Sequence, residues 1–436
     1  MYMQRLNLPA KRSALLRLIL LVTPVVLNSQ TADKPAFGQW AKWKADAKIV
    51  PVLSFQLWST YTSGQEVYNK QTKQYEAVDN RLNFQFRRAR FGFRAQPYER
   101  LKFNLVGFYD LLGRDLLSAT LGGQNNSRNV GIFDAFMDWK VTPGSELLYL
   151  TGGLFRPQFS RESITSAWNV SSFEKSMSQT YIREHLTGVG TGRSMGVNLG
   201  GLWLPSGKKW GLQYNLGLFD PAFKAFGNAS AGSPASPLLA GRVVLYLGDP
   251  EQEQYRIGYQ INYFNERKGL SLAGSGAWQG NSPLADQSYA AEADFLLNWG
   301  ALNLDGEVNW MIREQADQSY TSRTGHLRAG CNFTAGTHYF LEPVVMMMFF
   351  RGALDADNQT LAAALGESSG EETTLDAGIN WYLNRNNLKL ALHYTWNKGD
   401  AGAAGEGSTV NAYFNQSGVG AIRRGNWLGL GLNASF

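Results

Sequence analysis

Leu388-Lys-Leu-Ala-Leu-His-Tyr-Thr-Trp-Asn397 sorts its side chains in strict alternation. Leu388, Leu390, Leu392, Tyr394 and Trp396 fall on one phase, and Lys389, Ala391, His393, Thr395 and Asn397 on the other. A period of two places these sets on opposite faces of a β-strand. One wholly apolar face ending in aromatics and one wet face suit a wall between lipid and water. The pattern recurs upstream. Tyr255, Ile257, Tyr259, Ile261 and Tyr263 alternate with Arg256, Gly258, Gln260 and Asn262. Leu302, Leu304, Val308 and Trp310 alternate with Asn303, Asp305, Glu307 and Asn309. At the end of the chain, Leu428, Leu430, Leu432, Ala434 and Phe436 give a last strand a full lipid face. Barrel closure demands this, because an open sheet edge in lipid is costly.

Sixteen segments follow this rule: 50–62, 81–96, 99–110, 130–141, 145–156, 191–204, 209–219, 238–247, 254–265, 288–299, 301–312, 323–334, 337–350, 371–382, 387–398 and 426–436. Alternation is ambiguous at 145–156 and weak at 238–247. The links between them alternate in length. Long ones are 63–80, 111–129, 157–190, 220–237, 266–287, 313–322, 351–370 and 399–425; the others are short turns. Trp139, Trp203, Trp210, Trp299 and Trp381 lie beside short turns, and Trp310 and Trp396 at the opposite ends, all on the apolar phase. Indole rings favour the headgroup layer, so two aromatic girdles are expected. The expected fold is all-β: a sixteen-stranded antiparallel transmembrane β-barrel with long outer loops and short periplasmic turns, both termini periplasmic.

Composition agrees. The 436 residues include 47 Gly, 13 Trp, 19 Tyr and 24 Phe, yet mean hydropathy is negative. Beyond the N-terminus no stretch approaches the ~20 apolar residues of a membrane helix. At the N-terminus, basic Arg5, Lys11, Arg12 and Arg17 precede an apolar run, Leu18 to Leu27, and then small residues. This reads as a signal peptide over 1–31, with a periplasmic segment over 32–49 and the barrel over 50–436. Without the four basic residues the net charge of +6 falls to about +2, so the basic balance gives no case for nucleic acid. Cys331 is the single cysteine, which rules out an intramolecular disulfide.

Arg88-Ala-Arg-Phe-Gly-Phe93, Asp134-Ala-Phe136 and Gly153-Leu-Phe-Arg-Pro-Gln-Phe-Ser-Arg-Glu162 resemble successive blocks of the phosphate-selective porin O and P family. Gly378-Ile-Asn-Trp-Tyr-Leu-Asn384 is similar to the family's last hairpins. The resemblance runs from residue 82 to the end, with specific blocks at 84–203 and 371–436. It implies a passive channel of the cell outer membrane, usually a homotrimer, in which lumen arginines and lysines guide phosphate or other anions. The last strand resembles the signal read by the barrel-assembly machinery.

Mapping the alternation names the water-facing charges. Lys102, Lys140, Arg242, Arg256, Arg328 and Lys389 are basic candidates. Around Arg87, Arg88 and Arg90 the phase shifts, because Leu82, Phe84 and Phe86 give way to Phe91 and Phe93. A β-bulge there turns Arg87, Arg88, Arg90 and Arg94 inward together. They are either an anion-attracting patch or partners of lumen carboxylates. Glu292, Asp294, Asp305 and Glu307 cluster on strands ten and eleven, opposite strand two in a ring of sixteen. The expectation is a transverse field between two charged walls. The longest link, 157–190, is the expected constriction loop, its Arg161 and Arg183 joining Arg87, Arg88 and Arg90 in one wall against the four acids, and Ser171 and Glu174 fit a capping box for a short helix within it. The expected function is diffusion of small anions or polar solutes. No catalytic residue, metal site or cofactor is expected: the four histidines lack ligand spacing, and GxSxG and HExxH are absent. The rival reading is a closed barrel serving as a surface adhesin or assembly partner.

Overall fold

The structure is a computed structural model that describes residues 49–122, 130–221, 236–336, 339–408 and 411–436. The signal-peptide segment 1–31 lies outside these residues, as does nearly all of 32–49. Sixteen strands form one antiparallel ring. They are β1 (Ile49–Ser63), β2 (Arg81–Tyr98), β3 (Leu101–Leu112), β4 (Gly131–Lys140), β5 (Tyr149–Phe155), β6 (Ser194–Trp203), β7 (Trp210–Asp220) and β8 (Leu238–Gly248). The second half supplies β9 (Lys268–Gln279), β10 (Gln287–Trp299), β11 (Leu302–Gln315), β12 (Gln318–Cys331, carried on by Phe333–Ala335), β13 (Tyr339–Arg351), β14 (Glu371–Asn384), β15 (Leu388–Asp400) and β16 (Asn426–Ser435). Each strand pairs with the next. β1 closes the ring on β16, in register from Ser54 opposite Ser435 to Ser63 opposite Asn426.

The two phases separate as the alternation predicts. Leu392, Trp396, Leu428 and Leu430 are exposed on the outer face, while Lys389, His393 and Thr395 are buried inside. The seven girdle tryptophans are all exposed on the outside, and Trp203 meets Trp210 edge-on at 5.0 Å. Trp58 and Trp427, by contrast, are buried and pack around Phe173 of the 156–193 loop. The expected bulge is present: the β1–β2 register shifts between Gln56 and Leu57, leaving Arg87 as the extra residue. A second bulge in β4 leaves Phe133 extra opposite Val106 and Gly107 of β3.

Three expectations fail, each for a physical reason. The segment 254–265 is not a strand, and the ninth strand is Lys268–Gln279, inside what reads as an outer loop. The cause lies in β8, which apart from Arg242 is apolar on both faces: Leu239, Val243 and Leu247 point out, while Leu238, Val244 and Tyr246 point in and are buried. That inner face needs cover, and residues 249–267 fold into the lumen to give it. Tyr255 and Tyr259 pack with Val244, Tyr246 and Leu202. The lumen wall makes room with small residues. A Cβ at Gly200 would meet the Tyr255 hydroxyl at 2.0 Å, so only glycine fits there. β9 escapes notice because its outward row includes Gly274 and Gly276. The expected long link 313–322 is a two-residue turn, Ala316-Asp317, with Ala316 at φ 51°. No helix starts at Ser171, because both halves of the supposed capping box bond elsewhere: Ser171 Oγ donates to Glu342 at 2.9 Å and Glu174 turns to arginines. The helices of the loop are α1 (Arg161–Ile164), capped by Ser160, and α2 (Ser178–Thr187).

Candidate functional site

The lumen is built from the 156–193 loop upward. Nearly every residue from Pro157 to Thr187 is buried, and its charged side chains reach opposite walls. Glu174 receives Arg87 Nε at 2.7 Å and Arg88 Nη2 at 2.6 Å from the bulged part of β2. Burial raises the Glu174 carboxyl, but the two guanidiniums outweigh it and hold it at about 2. Arg161 reaches the other way. It donates to Asp294 of β10 at 2.7 Å and, in bidentate fashion, to Glu251 of the 249–267 segment at 2.9 and 2.8 Å, all fully buried.

The acidic wall is consumed by such contacts. Arg242 of β8 donates to Glu292 at 3.1 Å. Glu307 accepts from Ser160, from the Glu162 backbone N–H and from Ser178, at 2.7–2.9 Å. Asp305 lies against His326 at 3.0 Å and Arg328 at 3.4 Å, and Arg328 also holds Glu162 at 2.6 Å. Glu162, Asp305 and His326 are close enough to share a cation, but the Arg328 guanidinium already supplies that charge. The expected geometry is therefore altered: Arg161 belongs to the acidic wall, and that wall is closed off by ion pairs.

The loop's backbone carbonyls also hold cations. Arg156, Lys175 and Arg183 all donate to the Ser163 carbonyl, and Arg156 and Lys175 to that of Thr165 as well. No carboxylate lies within ion-pair distance of any of the three among the described residues. Burial, with Arg193 and Arg88 nearby, lowers the Arg183 guanidinium to about 9. Burial first, and then Arg193 and Arg183, push Arg156 well down.

The 249–267 segment meets the loop at mid-lumen. Ile261 N–H donates to the Asn169 carbonyl at 3.0 Å, and Asn169 Nδ2 to that of Tyr259 at 3.2 Å. Among the described residues, a cavity of about 790 Å³ stays open against β1 to β5. Its charged lining, among the described residues, is Arg90, Arg94, Lys102, Arg156, Arg193 and Arg256, with Asp134 and Asp138 the only acids. Arg90 is held by Asp110 at 2.9 Å and Arg193 by Asp134 at 3.1 Å. Of the residues singled out from sequence, Arg90, Arg94, Lys102 and Arg256 line this space. Arg87, Arg88, Arg161, Arg183, Glu292, Asp294, Asp305 and Glu307 do not; they anchor the loop or close the wall. Sequence reasoning missed Arg193, Phe133, Trp168 and Glu251. Phe133 carried a signal, since it follows outward-facing Ile132 and precedes inward-facing Asp134, one residue too many for strict alternation.

Residues 61–217 match the family model described as phosphate-selective porin O and P. No curated protein matches the chain in sequence. Among solved structures, Salmonella typhi OmpF in complex with daunomycin is similar with a TM-score of 0.53 at 14% identity, over 89% of this chain and 98% of that one. Pseudomonas putida OprB gives 0.52 at 10% identity, over 89% and 94%. The outer membrane channel DcaP of Acinetobacter baumannii gives 0.50 at 12%, over 91% and 99%. At these identities the likeness is one of fold. The closed sixteen-stranded ring is thus that of an outer-membrane porin, and its residues 61–217 match the phosphate-selective porin O and P family.

Proposed function

We propose that this channel passes small anions in preference to cations, with the β1–β5 side of the lumen as the conducting path. The observation that carries this reading is the lining of the open cavity, where six basic side chains stand against two aspartates. Fixed charge along a narrow low-dielectric passage raises the local concentration of counter-ions and sets which ions enter. In this reading the inward loop and the 249–267 segment form the constriction. Arg87, Arg88, Arg161 and Arg183, with Glu292, Asp294, Asp305 and Glu307, keep it in place, while Arg90 and Lys102 face the ions. A reversal potential across a planar bilayer in a KCl gradient tests the idea. A chloride-side potential is expected; a cation-side potential overturns it, and an absence of conductance favours the closed-barrel adhesin.

The family resemblance supports a homotrimer, assembled by the barrel-assembly machinery, with the long loops outside and residues 1–31 removed as a signal. Cross-linking in detergent, N-terminal sequencing, and surface labelling of tags in 401–425 against tags in 204–209 check these points.

A further inference from the structure

The open cavity is larger and more aromatic than an inorganic anion requires. Its 790 Å³ falls within the range of about 300–1,000 Å³ typical of small-molecule pockets. Phe133, Phe136, Tyr149, Phe155, Trp168 and Tyr255 all contribute to its lining. The charges sit among these rings. The guanidinium carbons of Arg193 and Arg90 lie 3.3 and 3.7 Å from the Phe133 centroid. Two such groups cannot share one face of a ring, so Phe133 is sandwiched between them. Arg156 lies 5.8 Å from the same centroid, and Arg90 5.8 Å from the Trp168 ring.

Hydrogen-bonding capacity around this cluster is left over. Trp168 is 9% exposed, and its indole Nε1 has no partner among the described residues. Arg156 Nε is likewise unmatched, and among the described residues no carboxylate lies at ion-pair distance from Arg156. Both line the cavity. A buried donor without a partner costs about 1–3 kcal/mol, and a ligand oxygen would relieve it. Together a guanidinium with no carboxylate at ion-pair distance, an unpartnered indole N–H and aromatic surface describe a site for a carboxylate on a flat apolar body.

We propose that the cavity binds organic anions of this kind, a carboxylate attached to a planar hydrophobic ring, more tightly than inorganic phosphate. This rests on the anion-preferring reading above and names the solute class. Arg156 and Trp168 Nε1 take the carboxylate, and the Trp168 ring offers the stacking face.

The test is a single-channel titration of the wild-type protein in KCl with benzoate, cyclohexanecarboxylate and inorganic phosphate, reading the block of chloride current. Benzoate is expected to half-block at a concentration about tenfold below phosphate, the size of one aromatic contact. Cyclohexanecarboxylate should fall between them. Trp168→Leu and Arg156→Gln should each weaken the benzoate block severalfold, and leave the phosphate block less affected in Trp168→Leu. Phosphate blocking as well as benzoate in the wild type overturns the proposal while leaving anion preference intact. A cation-side reversal potential with no block by any of the three overturns the anion reading itself. The wild-type comparison decides the matter even if a variant does not assemble.

Discussion

The two charged walls of this barrel use the same residue types for opposite ends. On β10 and β11, Glu292, Asp294, Asp305 and Glu307 are buried and matched to Arg161, Arg242, Arg328 and hydroxyl donors. On β2 and β3, Arg94 and Lys102 are exposed in open space. Charge on one side is spent on fastening the loop, and on the other it is left to solvent. A count of lumen charges alone would have them cancel; burial decides which ones an ion meets.

The largest test breaks the acidic wall. Arg161→Ala leaves Glu251 buried without its ion-pair partner and Asp294 with Arg242 alone, at a cost of about 3–5 kcal/mol. The folded barrel should lose its heat resistance on gels at a clearly lower temperature, and the surviving channels should conduct more as the loop loosens. Unchanged melting and unchanged conductance would show that the pair does not fasten the loop.

Next comes the anchor on the other side. Glu174 is held at about 2 against an ordinary 4.5, so the folded state takes up its proton less readily than the unfolded one. Its stabilisation is full above about pH 4.5 and is lost as pH falls toward 2, amounting to about 3 kcal/mol. The gap in melting temperature between wild type and Glu174→Gln should stay constant from pH 7 to 5 and narrow below 4.5. A gap that ignores acid argues against the ion pair.

A smaller effect sharpens the contrast directly. Two charges lost about 8 Å from an ion path in water are worth on the order of 1 kcal/mol, about fivefold in a permeability ratio. Arg94→Ala with Lys102→Ala should move the reversal potential toward cations by this much at about 0.1 M salt, and far less at about 1 M. Asp305→Ala with Glu307→Ala should move it less, since those groups are closed off. Equal and opposite shifts would mean that both walls face the ions. Last, Arg385→Ala removes an exposed pair with Glu266 at the short-turn end. Melting should change by under about 0.5 kcal/mol; a loss as large as that of Arg161→Ala would remove the distinction between buried and exposed pairs.

Most of the ring was legible because lipid imposes a strict code. A strand such as β15 must show an unbroken apolar row outward, and period two exposes it. The code fails where lipid is not the partner. Residues 254–265 alternate like a strand, yet their tyrosines cover the apolar inner face of β8, a demand invisible until β8 is seen to be apolar on both sides. β9 hides behind glycines, which satisfy lipid without looking hydrophobic. The lumen was half legible. Which side chains point inward follows from phase, and the bulge at Arg87 from its slip. The partners do not follow, because Arg161–Glu251 and Arg88–Glu174 join residues 90 and 86 positions apart through a loop whose path has no periodic signature.

The meeting of Asn169 with Tyr259 and Ile261 bears on the order of assembly. These contacts join a loop between β5 and β6 to a segment between β8 and β9, and the hairpins between them must pair first. The seam between β1 and β16 spans nearly the whole described chain and is the most non-local pairing in the molecule. Contacts of such long sequence separation form late, because closing the intervening chain is costly in entropy. The interior filling and the final seam are thus kinetically linked. A nascent sheet whose two inserts still lie outside it exposes polar backbone and unmatched charge on its concave side, and it has reason to wait in water rather than commit to lipid.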